Sequence, residues 1–197
     1  MKSTIYIFLL FSTLFVTGQS TLHIKTSKDL IGNKTPEFSG KTLSNKEWNY
    51  NTIKGKVVLV NFWFIKCMPC MKEVKYLNEL KEKYKDENFI LISIARNTKQ
   101  ELINFNSDFE TIESTIRKEF AKEKIKYEII PECKKSKLNC NKISSLFNVT
   151  RYPTTFIINK KGIIEYVKTG FGDKESNETS KYNPGYEKII DKLLILN

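Results

Sequence analysis

Residues 57–74 read "VVLVNFWFIKCMPCMKEV". The first half is a continuous apolar, β-branched run bounded by Gly55, the pattern of a strand buried on both faces. The second half changes period. Cys70, Val74, Leu77, Lys81 and Tyr84 fall on one side of a 3.6-residue wheel, flanked by Leu80, which predicts a helix from about Met68 to Tyr84. Cys67 and Cys70 sit at the junction, two residues apart. Unpaired backbone N–H groups and the helix dipole favour an anion there. The anion is expected to be a thiolate at Cys67, the more exposed thiol, with its pKa lowered and Lys66 adding positive charge. Cys70, one turn deeper, is placed to resolve a mixed disulfide formed at Cys67. Pro69 stiffens the turn.

Outward from this junction the chain alternates strands and helices. "PEFSGKTLSNKEWN" reads as a small β-hairpin ahead of the buried strand. "NFILISIA" is a second buried strand, and Thr98 with Glu101 forms a capping-box pattern opening a helical region that runs, with a break near Asn106–Asp108, to about Lys124. "KYEII" reads as a short strand and Asn141 to Phe147 as a short helix. "TTFIINKKGIIEYVKTG" is two strands joined by a tight turn at Lys160–Lys161–Gly162. A last helix has Asn183 as N-cap and Pro184 at its first position, with Ile189/Ile190 and Leu193/Leu194 returning every four residues. The order predicts an α/β fold: a central mixed sheet with helices on both faces, an N-terminal hairpin and an antiparallel final pair of strands.

The chain has 197 residues and a net charge of +11, but its Lys residues are interleaved with Glu and Asp, as in "KEKYKDEN". That is the pattern of solvated helix faces, and it argues against a nucleic-acid groove. The positive balance suits acidic partners or anionic surfaces. Residues 1–18 carry Lys2, an apolar stretch from Ile5 to Val16 and a small residue at Gly18, which predicts a signal peptide cut after Gly18. The run is short for a membrane span; an uncut segment serving as an anchor is the alternative. A polar leader, residues 19–34, would connect it to one domain, residues 35–197. Export places all four cysteines, Cys67, Cys70, Cys133 and Cys140, where disulfides persist.

Other readings of Cys67 and Cys70 are weaker. A zinc site usually needs four Cys or His ligands, yet the sole histidine is His23 in the leader, and Cys133 and Cys140 form no second C-x-x-C. Haem attachment would need His where Met71 stands. A purely structural bond across so short a loop would stabilise little. A redox pair is the favoured reading, with no bound cofactor or metal.

"VVLVNFWFIKCMPCMKEV" together with "VTRYPTTFIINKKGII" resembles the thioredoxin superfamily, and more narrowly the exported TlpA/ResA/DsbE-type thiol–disulfide oxidoreductases. The resemblance runs from about Thr35 to the C-terminus and implies a thioredoxin-like fold. It implies Cys67 as the attacking cysteine and Cys70 as the resolving one. It implies Pro153 as a cis-proline against the active-site disulfide, with Tyr152 presenting backbone to an extended substrate peptide. Trp63 matches an aromatic four residues before the first cysteine; Met68 and Pro69 complete the substrate-facing set. The partners implied are a protein disulfide or thiol, with apocytochrome c among the options, and a membrane-bound electron donor. Three departures stand out: Lys66 replaces a common aromatic, Val74 a frequent proline, and the stretch from Asn97 to Asn141 is long and carries two extra cysteines.

Glu73 lies one turn beyond Cys70 and flanks the apolar stripe, and the resembling proteins carry an acid there. Asn61 stands where cytoplasmic thioredoxins have a buried Asp. Glu73 is therefore expected to be partly buried, with a raised pKa, and to exchange protons with Cys70; an exposed first-turn Glu is the plainer reading. Cys133 and Cys140 are expected to form a local disulfide, against a second redox pair or free thiols. Two other functions are weighed. A peroxiredoxin-type peroxidase would carry Thr or Ser three residues before its cysteine, where this chain has Phe64. A copper-handling module would need a histidine outside the leader.

Overall fold

The structure, a computed structural model, describes residues 25–107, 124–134, 140, 142–172 and 185–196. The expected signal segment, His23, the second half of the helical region before Lys124, Asn141, and Asn183 with Pro184 lie outside the described residues.

A short hairpin, β1 (Gly40–Lys41) and β2 (Glu47–Trp48), leads into α1 (Tyr50–Ile53). Then come β3 (Val57–Trp63), α2 (Met68–Lys83), β4 (Phe89–Thr98), α3 (Lys99–Ser107), β5 (Glu128–Cys133), α4 (Lys142–Leu146), β6 (Thr154–Ile158), β7 (Ile164–Thr169) and α5 (Tyr186–Ile195). The five-stranded sheet has the order β5-β4-β3-β6-β7. β3 pairs in parallel with β4, and β4 with β5; β6 runs antiparallel to β3, and β7 to β6. This is the mixed α/β sheet the sequence predicts.

β3 is central, and all seven of its residues are buried. Alternation along it feeds two cores. Val57, Leu59 and Trp63 join the side chains of α2 and α5 on one face. Val58, Val60 and Phe62 meet Phe147, Phe156 and Ile143 on the other. The turn joining β6 to β7 needs Gly162: its φ is 78°, and a Cβ there would sit 2.5 Å from the Tyr50 hydroxyl.

Three details differ from the sequence reading. The β5 strand carries "EIIPEC", starting later than "KYEII" and continuing through Pro131 to Cys133. It is an edge strand, where a proline without an N–H is tolerated. On α2, Lys81 is half-exposed, while Met71 and Asn78 are buried. Asn78 is covered because its amide donates to Lys124 O at 2.8 Å and accepts from Lys126 N at 2.9 Å, pinning the approach to β5. The last helix is described from Tyr186, after Gly185 in the left-handed region (φ 76°). Cys67 is scarcely more exposed than Cys70: both are covered, at 4% and 3%.

Candidate functional site

The parallel strands β3 and β4 end at the same edge of the sheet, and the loop after Trp63 turns there into α2. Cys67 is the N-cap of α2, with extended backbone, and its Sγ accepts the N–H of Cys70 at 3.2 Å. A sulfur thus fills the position where Ser or Asp commonly sits. Pro69 falls within the first turn, where its missing N–H costs nothing. Cys67 and Cys70 are joined as a disulfide. The loop itself is fastened from β4. Asn97 Oδ1 accepts Ile65 N at 3.0 Å, and Asn97 Nδ2 donates to Glu101 Oε2 at 3.2 Å. Glu101 Oε2 also accepts Thr98 N at 2.8 Å, completing with Thr98 Oγ1 the expected capping box.

β6 brings the second sequence motif alongside. Thr154 pairs with Phe62, which carries Tyr152 and Pro153 back along the residues following β3. The Tyr152 ring meets Phe64 edge-on at 5.4 Å. The Tyr152–Pro153 bond is cis. Tyr152 is half-buried and Pro153 buried, whereas Met68 is 49% exposed beside Cys67. Trp63 is only 2% exposed and lies against Phe105 at 6.1 Å, so it supports the site from inside the core and offers no surface to a substrate.

Glu73 is fully enclosed, 1% exposed, beneath the same helix. Three donors converge on its carboxylate. Asn61 Nδ2 reaches Oε2 at 2.9 Å, Tyr186 OH reaches Oε1 at 3.1 Å, and Thr155 Oγ1 reaches Oε1 at 3.4 Å. Asn61 Nδ2 also donates to Thr155 Oγ1 at 2.9 Å, closing the ring of contacts. Burial raises the Glu73 pKa from 4.5 to about 7, and the three hydrogen bonds, with the positive charge of Lys168, oppose that rise without cancelling it. Burial likewise pushes Tyr127 upward, aided by the Glu73 charge. A carboxyl with that affinity can hold or release a proton near neutral pH, one helical turn from Cys70.

Asn61 and Glu73 were both legible in the sequence. Thr155 and Tyr186 were not. Thr155 reads as an ordinary strand residue, and Tyr186 is 113 positions from Glu73 with no local signal.

Cys133 ends β5 and is bonded to Cys140. Its neighbour Glu132 is buried, and Glu132 Oε1 accepts Ser144 N at 2.6 Å in the first turn of α4. Among the described residues no group of three or more His, Cys, Asp or Glu side chains could hold a metal ion. Among them, too, no helix is long and apolar enough to cross a membrane.

Comparison with known proteins bears on this arrangement. A sequence profile of the AhpC/TSA family matches residues 31–167. The thioredoxin-like protein YneN of Bacillus subtilis is 32% identical over 147 residues, covering 75% of this chain and 76% of the relative. The thiol-disulfide oxidoreductase ResA of Bacillus cereus is 30% identical over 149 residues, covering 75% of each. Among solved structures, a DsbE-type thiol:disulfide interchange protein from Chlorobium tepidum superposes with a TM-score of 0.62 at 19% identity, covering 83% of this chain and 97% of that one. A 2-Cys peroxiredoxin from Plasmodium vivax gives 0.58 at 18% identity, covering 83% and 95%. At those identities the structural likeness speaks for the fold alone.

Proposed function

We propose, from the premise that this chain belongs to the AhpC/TSA family and is a thiol–disulfide oxidoreductase of the ResA/DsbE kind, that it works as an exported disulfide reductase through Cys67 and Cys70. The observation that carries this reading is the Cys67 sulfur at the N-cap of α2, accepting a backbone N–H, with a buried acid one turn beyond Cys70.

In the reduced enzyme the Cys67 thiolate attacks one sulfur of a substrate disulfide. The Cys67–substrate bond forms and the other substrate sulfur leaves as a thiolate. Cys70 then attacks the Cys67 sulfur, forming the Cys67–Cys70 disulfide and releasing the second substrate thiol. Cys70 must lose its proton for that attack, and Glu73 accepts it. A dithiol donor, on our reading membrane-bound, reverses the oxidation and returns the proton. Tyr152 and Pro153 hold an extended substrate segment beside the sulfurs, with Met68 and Pro69 at its other side. The substrate class is an exported protein disulfide, apocytochrome c among the options. The place is the periplasm or cell envelope, reached by the signal segment at residues 1–18 and the leader at 19–34, with the domain at 35–197. Cys133–Cys140 serves as a structural bond.

A redox titration of the mature protein tests this. Equilibrate it in thiol buffers, alkylate free thiols and map all four cysteines by mass spectrometry. A joint midpoint for Cys67 and Cys70 at roughly −250 mV or lower supports a reductase; a midpoint near about −120 mV makes it an oxidant instead. The peroxidase reading has Phe64 against it, since no hydroxyl stands three residues before Cys67.

A further inference from the structure

The proton-accepting carboxylate is held from three separate elements: Asn61 on β3, Thr155 on β6 and Tyr186 at the start of α5. The first two flank one another on paired strands, where Asn61 faces Thr155 in register. Tyr186 comes from the far end of the chain. Its whole side chain is buried, wedged between the rings of Tyr76 at 5.8 Å and Tyr166 at 6.1 Å. Tyr84 OH bonds Asp191 Oδ1 at 2.6 Å, so a second contact fixes α5 against α2. An apolar ring would fill the same space. The hydroxyl is what the Glu73 contact adds.

We propose that Tyr186 is a positioning residue for thiol exchange: its hydroxyl, delivered by the docked C-terminal helix, orients Glu73 and sets how tightly that carboxyl holds its proton. The inference rests on the reading that Glu73 serves Cys70.

The chemistry follows from what each donor can do. The Asn61 N–H group can only donate, so it favours the charged carboxylate in every state. A hydroxyl can donate to a carboxylate and, after turning, accept from a carboxylic acid. Tyr186 makes the shorter of the two hydroxyl contacts, 3.1 Å against 3.4 Å for Thr155. Thr155 Oγ1 is already engaged as acceptor by Asn61. Tyr186 is thus the nearer of the two hydroxyls that can follow the proton on and off Glu73. The other titratable or charged groups felt at this carboxyl are Tyr76 on α2, Tyr127 ahead of β5 and Lys168 on β7, with Cys70 on α2 one turn away. Burial raises the Tyr76 and Tyr127 pKa values, so both stay neutral near pH 7 and add no competing switch there. The positive charge of Lys168 favours the charged form of Glu73.

The test is a carboxyl titration of the full mature protein, labelled at the Glu side-chain carbonyl carbon and followed by NMR, with Glu73→Gln to identify the signal. The same proteins are assayed for reduction of a peptide disulfide across pH. Tyr186→Phe keeps the ring and removes the donor. The Glu73 midpoint should rise by about one pH unit, and the alkaline shift should reappear in the exchange profile. An unmoved Glu73 midpoint overturns the proposal. A shifted midpoint with an unchanged exchange profile upholds the role of Tyr186 at Glu73 and instead sinks the reading that Glu73 serves Cys70. If Tyr186→Phe fails to fold, 3-fluorotyrosine at Tyr186 decides the matter. Its stronger donor should move the midpoint down, the opposite sign, and a rise or no change refutes the assignment.

Discussion

Two disulfides lie where β-strands give way to helices, and the helix N-termini beside them are filled differently. At α2 the N-cap is the Cys67 sulfur itself, which accepts Cys70 N at 3.2 Å. At α4 the free N–H of Ser144 goes to the carboxylate of Glu132, not to a sulfur, at 2.6 Å. Breaking the first bond leaves a sulfur where backbone donors and the helix dipole favour a negative charge. Breaking the second leaves a thiol whose neighbouring helix end is already occupied by a negative group. The α2 site also has an enclosed acid, Glu73, with a pKa near neutrality, while the acid beside Cys133 is spent on capping. The two pairs differ in spacing, three positions apart against seven, and they differ as well in which atom occupies the neighbouring helix terminus.

The comparison breaks most visibly under cysteine substitution. Cys67→Ser should lower disulfide-reductase turnover about a thousandfold or more, because it removes the sulfur that attacks the substrate and leaves only Cys70, covered and one turn deeper, at the site. Cys133→Ser with Cys140→Ser should leave turnover within about twofold and cost about 2–3 kcal/mol in unfolding free energy. Steady-state rates and denaturant titrations on the same preparations check both. A double variant that keeps its stability and loses its rate would show the second pair relaying electrons.

The next largest effect is pH-linked. In the folded protein Glu73 holds its proton up to about 7, against 4.5 ordinarily. Its contribution to stability is therefore fully present below about pH 4.5 and is lost as pH rises through about 7. Glu73→Gln cannot ionise. Its stability relative to the parent should grow by about 3 kcal/mol across that window and then level off. Oxidised protein, unfolded by denaturant at several pH values, gives the curve. A difference that stays constant with pH would mean that Glu73 titrates in the fold as it does in the unfolded chain, with no raised affinity for its proton. At the other disulfide, Glu132→Ala should cost about 1–3 kcal/mol by leaving Ser144 N unpaired in the core, a loss also read by denaturant. Exchange through Cys67 should change far less than the stability does.

Much of this contrast could be read before any coordinates. The β3–α2 junction declared itself by a change of period, from an unbroken apolar run to a four-residue return. The β6–β7 hairpin was fixed by Gly162, and Glu73 was singled out by lying one turn from Cys70 on a face a surface acid would not need. The rest escaped for reasons of distance. Tyr186 approaches Glu73 across 113 positions, and no local pattern marks a contact of that range. Glu132 gave no hint that it would reach the backbone of α4. The end of β5 has no local mark: Pro131 lies within the strand, and only the sheet order shows that the strand is an edge, where a proline fits. Trp63 looked like a substrate contact because of its place before Cys67, but β3 is central and both its faces are covered.

The smallest effect concerns charge around the two disulfides. Near the first, Lys66 precedes Cys67, Arg151 precedes Tyr152, and Arg96 sits where the β4–β5 pairing shifts register; all three are exposed. Arg96 is also close enough for its charge to act on Tyr152. Near the second, Lys134 is exposed directly after Cys133. If substrates dock at Cys67 alone, only the first group should matter. Lys66→Glu or Arg96→Glu should slow exchange with a peptide disulfide flanked by Asp about two- to fivefold at low salt, and the effect should fade as salt is added. Lys134→Glu is the matched control, because it removes the same charge from the same overall total at the other disulfide. Rates with Asp-flanked and Lys-flanked peptides, compared for each variant, separate local docking from general attraction. Equal slowing by Lys134→Glu and Lys66→Glu would mean that the net charge of +11 acts as a whole, and the surface around Cys67 would then have no special claim on acidic substrates.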